Sequence, residues 1–127
     1  MAGTLVISTL SDGTNSTSTT NCVQGSAKAW VNFNGTTSPG TIRASYNVSS
    51  VTKAATGNYT MNFATAFADA NYCFVFGGKD SDDPLGYPTP GLALSSTNST
   101  TQLQLLFNYP ANALNYDAAA YCVAIFR

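Results

Sequence analysis

Apolar and polar residues alternate position by position through most of this chain, in short runs separated by turns. From 27 to 34, Ala27, Ala29, Val31 and Phe33 fall on one side and Lys28, Trp30, Asn32 and Asn34 on the other. Ile42, Ala44, Tyr46 and Val48 repeat the pattern against Arg43, Ser45 and Asn47, and Tyr59, Met61 and Phe63 repeat it against Asn58, Thr60 and Asn62. A period of two belongs to strands, because successive side chains leave a pleated backbone on opposite faces. One apolar face and one amide-rich face describe an antiparallel sheet covered on one side. The Gly- and Pro-containing stretch 34–40 and Thr56-Gly57-Asn58 supply turns between these runs.

Three further runs are apolar on both faces: Tyr72-Cys73-Phe74-Val75-Phe76, Leu103-Gln104-Leu105-Leu106-Phe107 and Tyr121-Cys122-Val123-Ala124-Ile125-Phe126. Strands of this kind lie centrally in a sandwich or at a subunit interface. With a shorter strand at Leu92–Ser95, the pattern predicts about seven to eight short strands. The fold class expected is all-β, an antiparallel β-sandwich of jelly-roll-like form.

Upstream, Thr4–Leu10 reads as a short strand carrying Leu5, Val6 and Ile7. A run of Ser, Thr, Asn and Gly from 11 to 21 follows, whose composition predicts a flexible linker or an extended arm. The expected division is therefore an N-terminal strand and attachment arm over 1–24, with Leu5, Val6 and Ile7 as assembly contacts, and a β-sandwich domain over 25–127. Residues 1–10 have neither a basic start nor a sustained apolar core, so they do not read as a signal peptide, and cytoplasmic folding is expected. No stretch approaches the roughly 20 apolar residues of a membrane helix, and no membrane insertion is expected.

Charge narrows the function classes. Charged residues are 9% of the chain, against about 25% in a typical protein. There is no Glu and no His, and the cations are Lys28, Arg43, Lys53, Lys79 and Arg127. Five scattered cations form no patch to neutralise phosphates, so nucleic acid is not an expected partner. General acid–base work would fall to Asp or Lys alone, and no nucleophile–base pair can be assembled. The expectation is a protein that is not an enzyme and takes no cofactor. A surface of hydroxyls and amides with a net charge of −1 has little self-repulsion to keep copies apart.

Cys22, Cys73 and Cys122 are an odd number with no Cys-x-x-Cys pair. Cys73 and Cys122 share the context Tyr-Cys and sit at equivalent places in two strands. A disulfide between them needs those strands to be neighbours, whereas cytosolic folding favours buried free thiols. Zinc has no ligand spacing here.

Two loops interrupt the strands. The first, 79–91, holds Asp80, Asp82 and Asp83 with Pro84, Pro88 and Pro90, which stiffen it into a shaped protrusion. Its acids read as a solvated turn in preference to a calcium site, since the further ligands of an EF-hand are missing. The second, 108–119, is rich in Asn and Tyr. Asp82, Asp83, Tyr87, Tyr109 and Tyr116 are the candidate binding residues of these two loops. Arg43 and Lys28 are expected in surface ion pairs with Asp69 or Asp117, each worth at most about 1 kcal/mol when exposed. Trp30, on the polar face of its strand, reads first as packing under a loop or in a subunit interface, and second as a platform for a sugar. The Asn-x-Ser/Thr triplets at Asn15, Asn34, Asn47, Asn58 and Asn98 match what so much Ser, Thr and Asn produces by chance.

The sequences AWVNFNG at 29–35, IRASYNVSS at 42–50, YTMNF at 59–63 and DANY at 69–72 resemble a module of tail-fibre and other virion appendage proteins of tailed bacteriophages, particularly marine and cyanobacterial ones. The resemblance runs from about residue 25 to 76. It implies a non-enzymatic virion protein, made in the bacterial cytoplasm and acting on the particle, most often homotrimeric, that meets other virion proteins and a host-surface glycan or protein, with Asp82, Asp83, Tyr87, Tyr109 and Tyr116 as its receptor contacts. Only some 25 residues precede the module here, where a fibre has a long shaft. A fibre tip or small stand-alone virion protein is therefore expected, with a capsid decoration (cement) protein as the alternative and a lectin module as a weaker one.

Overall fold

The first and last long strands of the protein lie side by side in one sheet, and the rest of the fold is arranged around that pair. In the computed structural model the described residues are 3, 6–79, 91–92, 98–109 and 114–127. Strands β3 (Ala27–Asn34) and β11 (Ala120–Phe126) are antiparallel neighbours, flanked by β4 (Thr41–Tyr46) and β7 (Cys73–Lys79), in the order β4-β3-β11-β7. A second antiparallel sheet has the order β10-β9-β6-β5, from Leu114–Asn115, Gln102–Tyr109, Asn58–Phe63 and Val48–Ala55, with β8 (Gly91–Leu92) also pairing with β9. The fold is an all-β, antiparallel two-sheet sandwich. Among the described residues, seven strands of six to eight residues build it (β3, β4, β5, β6, β7, β9 and β11), and the remaining strands are two or three residues long.

The core is what the alternation dictates. Ala29, Val31 and Phe33 of β3 and Tyr121, Val123 and Ile125 of β11 face Tyr59, Met61 and Phe63 of β6 and Leu103, Leu105 and Phe107 of β9, all buried. Burying one such side chain fully stabilises the fold by about 1.5–3 kcal/mol before the entropy of ordering it is counted. Four rings from both sheets meet at one end: Phe107 stacks on Tyr121 at 4.0 Å between centroids, and Phe33 lies edge-on to Tyr59 at 5.1 Å.

Around β4 the sequence pattern misleads. The run 42–48 is not one strand. Between Asn32 and Phe33 the β3–β4 register shifts, so that Asn32 faces Ala44 while Phe33 faces Ile42, and Arg43 is the extra residue of a bulge. Ile42 therefore points to the core, while Ala44 and Tyr46 turn to the outer face, Tyr46 being 59% exposed. The chain then passes from one sheet to the other through a single residue, Asn47, in the left-handed region (φ 54). Asn tolerates that conformation better than most residues. Its side chain secures the corner: Nδ2 donates to the carbonyls of Lys28 and Thr65, each at 3.2 Å, and Oδ1 accepts from the Thr65 N–H at 2.7 Å.

The N-terminal segment is also more structured than its composition suggests. Val6 and Ile7 lie outside any strand, and the strand expected at Thr4–Leu10 is instead β1 (Thr9–Ser11), paired with β2 (Ser16–Ser18). Part of the polar run is thus a hairpin. Asp12 closes its turn by accepting from the N–H groups of Thr14 (2.9 Å) and Asn15 (2.7 Å), and these bonds, that from Asn15 foremost, hold its carboxyl below the usual range. A seven-residue helix, α1 (Thr19–Gly25), follows, with Ser18 as N-cap accepting from the Asn21 N–H at 3.1 Å. Among the described residues Lys28 pairs with no acid. Its ammonium donates to the Val23 carbonyl and to Ser26 Oγ, where a cation suits a helix C-terminus.

Candidate functional site

The sandwich has two distinct ends. Ala27 pairs with Phe126, so the chain enters β3 from α1 and leaves β11 at the same end. At the opposite end lie Asn34, the Gly57 turn, Lys79 paired with Ala120, and Tyr109 paired with Leu114. The chain leaves β7 at Lys79 and is next described at Gly91, opposite Asn108, also at this distal end. Of the receptor residues expected from sequence, Asp82, Asp83 and Tyr87 lie outside the described residues, as does Leu5 of the arm. Tyr109 ends β9 at the distal end. Tyr116 lies there too, half-buried against the core, with its N–H donating to Phe107 O at 3.1 Å.

Chemistry-bearing side chains converge at this distal end. Asp117 accepts from Lys53 Nζ at 2.6 Å and from the Gly57 N–H at 2.8 Å. The Tyr59 hydroxyl bonds to the same carboxylate, with the Gly35 carbonyl 2.7 Å away, and Lys53 also donates to that carbonyl at 2.9 Å. Burial pushes the Asp117 carboxyl up. The Gly57 N–H, Lys53 and Tyr59 outweigh it, so the net direction is down. Burial first, and then the Asp117 carboxylate, raise the Tyr59 phenol well above its usual range. A stabilised carboxylate beside a phenol that holds its proton gives neither a base nor an acid working near neutral pH. The cluster acts as a latch between turns: it joins the end of β3, the β5–β6 turn and the approach to β11. Tyr121 adds a second tie, donating to Tyr116 O at 2.7 Å and accepting from the Ala118 N–H at 3.0 Å.

Ion pairing differs from expectation. Asp69 pairs with Arg127 and Asp117 with Lys53. Arg43, displaced by its bulge, instead donates to Ala119 O at 2.6 Å and to Asn32 Oδ1 at 3.3 Å, both neutral acceptors.

The outer face of the β4-β3-β11-β7 sheet is the second notable surface. Register places Tyr46, Trp30, Ala124 and Val75 in one row across four strands, and Ala44, Asn32, Cys122 and Gly77 in the next. Trp30 is 39% and Val75 57% exposed, and between them lies a groove of about 400 Å³. β7 and β11 are neighbours, but Cys73 faces Phe126 while Cys122 faces Gly77, four positions along the ladder. That is roughly 13 Å at strand rise, too far for a disulfide. All three cysteines are free, and Cys73 and Cys122 are exposed on this face, where buried thiols were expected.

Neither the bulge at Arg43 nor the corner at Asn47 shows in a period-two reading. The only available sign of the corner was an Asn between two strand-like halves, which tolerates positive φ.

No protein-family model matches the chain, and neither does any curated protein or solved structure.

Proposed function

We propose that this protein is a non-enzymatic structural module of a tailed-phage particle: a fibre tip or fibre-like appendage that meets the host surface, assembled as a homotrimer. The observation that carries the reading is the polarity of the sandwich. The N-terminal unit leads into one end, and the chain departs toward Asp82, Asp83 and Tyr87 from the other, where Tyr109 and Tyr116 also lie. A module tethered proximally and presenting loops distally suits an appendage, because recognition is best placed on loops held by a rigid scaffold.

The proximal end supports a tether. The β1–β2 hairpin and α1 bury no residue fully, and Val6, Ile7, Leu10 and Val23 expose apolar side chains there. Several exposed apolar side chains on a small unit suit a partner surface in the particle. The same exposed side chains favour the second reading, a decoration protein seated on the capsid through this unit.

Imaging of intact particles with a labelled antibody tests both. Label at the tail tip, with purified protein blocking adsorption to cells, supports the appendage. Label over the head, with particles lacking the protein bursting more easily under osmotic shock, replaces it with the decoration protein. Absence from particles ends both readings.

A further inference from the structure

We infer that the outer face of the β4-β3-β11-β7 sheet is a binding site for a carboxylate-bearing saccharide. Trp30 and Tyr46 are directly opposite each other on adjacent strands, and both rings reach solvent from a stiff backbone. A sugar ring offers an apolar C–H face and a polar rim, which an exposed aromatic flanked by hydrogen-bonding groups complements. Asn32 supplies such a group. It lies two residues beyond Trp30 on the same face, roughly 7 Å away along the strand. Its Oδ1 accepts from Arg43, and its NH₂ has no partner among the described residues.

The floor of the groove is open because the residues lining it are small. Ala124, Cys122 and Gly77 lie between Trp30 and the wall formed by Val75.

Charge selects the ligand. Each described acid is already committed: Asp12 to the hairpin turn, Asp69 to Arg127 and Asp117 to Lys53. Arg43 is thus a cation with no carboxylate partner among the described residues. Two neutral acceptors hold its guanidinium across β3, and it keeps further N–H donors for a ligand. A planar guanidinium fixed in this way matches a carboxylate in two-pronged geometry. The same charge disfavours a second copy as occupant. Among the described residues this face carries no acid, so two faces packed together would bring Arg43 toward like charge without a counter-ion.

Trp30 is the chain's one tryptophan, so its fluorescence reports this site alone. The test titrates the full protein with oligogalacturonates and with their carboxyl-reduced, neutral counterparts, following Trp30 emission. The expected result is a saturable change with the acidic series, at least tenfold weaker with the neutral one. Arg43→Gln should weaken the acidic ligand at least tenfold and the neutral one far less. Arg43→Lys should recover part of the loss. Gly77→Val should block both ligands. A Cβ at Gly77 meets nothing within 4 Å, so this variant fills the groove without disturbing the fold. Equal response to both series, indifference to Arg43→Gln, or no saturable response would overturn the inference. So would emission that depends on protein concentration together with a monomer produced by Gly77→Val, which would assign the face to self-association. Adsorption to cells is read in parallel. A protein that still blocks adsorption without responding to these ligands loses this site but keeps the attachment role.

Discussion

Lys53 and Asp117, 64 positions apart, meet at 2.6 Å, and their contact closes the distal end of the sandwich. Both side chains are largely shielded from water (13% and 22% exposed), so removing one partner strands the other. Asp117→Ala leaves the Gly57 N–H without its acceptor and the Lys53 ammonium without its counter-ion, with only the Gly35 carbonyl left for Lys53 and Tyr59 to share. The expected loss is about 3 kcal/mol by denaturant unfolding. Asp117→Asn, which keeps the shape, should lose less.

The same pair sets an acid limit. The folded-state carboxyl of Asp117 is held below 3.8, its ordinary value, so the unfolded chain takes up a proton first as pH falls. Its stabilisation is complete well above pH 4 and disappears as pH drops through the lowered folded value. Stability measured from pH 6 downward should decline below about pH 4 in the native protein. In Asp117→Asn this decline should be smaller.

Tyr59 sets the opposite limit. Its phenol is raised far above 10, so above that pH the unfolded chain releases a proton that the folded one keeps. Stability should be complete below pH 10 and fall as pH rises further. Tyrosinate absorbance should show a component titrating together with unfolding, to which Tyr72, also raised by burial, contributes, and Tyr59→Phe should reduce it.

Asn47 and Gly57 make backbone conformation testable. Asn47→Ala loses three side-chain hydrogen bonds and places Ala at positive φ, and Asn47→Gly loses only the bonds. The glycine variant should be more stable by about 1 kcal/mol. Gly57 has φ +68, and a Cβ there would come within 2.3 Å of the Phe107 carbonyl oxygen. Gly57→Ala is therefore expected to cost more than about 3 kcal/mol or to prevent folding. Gly77→Ala, in open space, should leave the melting temperature nearly unchanged.

The thiols offer a simple check. Cys73 and Cys122 should both react with a maleimide in the native protein. Oxidation should give cross-linked multimers and no internal Cys73–Cys122 bridge in mass spectra of digests.

What could be read from the sequence follows from how local each feature is. In β6, burial alternates as Asn58 to Phe63 require, because a straight strand over one core imposes a strict period of two. β3 is legible for the same reason. β4 is not: one extra residue at Arg43 reverses the faces of Ala44 and Tyr46, and nothing in 41–48 marks where it falls. In the polar run, Asp12-Gly13 and Ser18 are a turn dipeptide and a helix cap, signals that low complexity obscured. The outer face depends on the pairing of β3 with β11, some 90 residues later, and no local pattern specifies such a register.

The antiparallel pairing of Ala27 with Phe126 also governs how the module would respond to mechanical load. A pull between a proximal tether and a distal contact runs along β3, which is hydrogen-bonded on both sides to β4 and β11. Under that pull the two ladders are sheared together, many bonds at once. Traction applied between the two chain ends would instead unzip β3 from β11 one pair at a time. Were the sandwich anchored at its N-terminus, it would meet drag in its stronger direction.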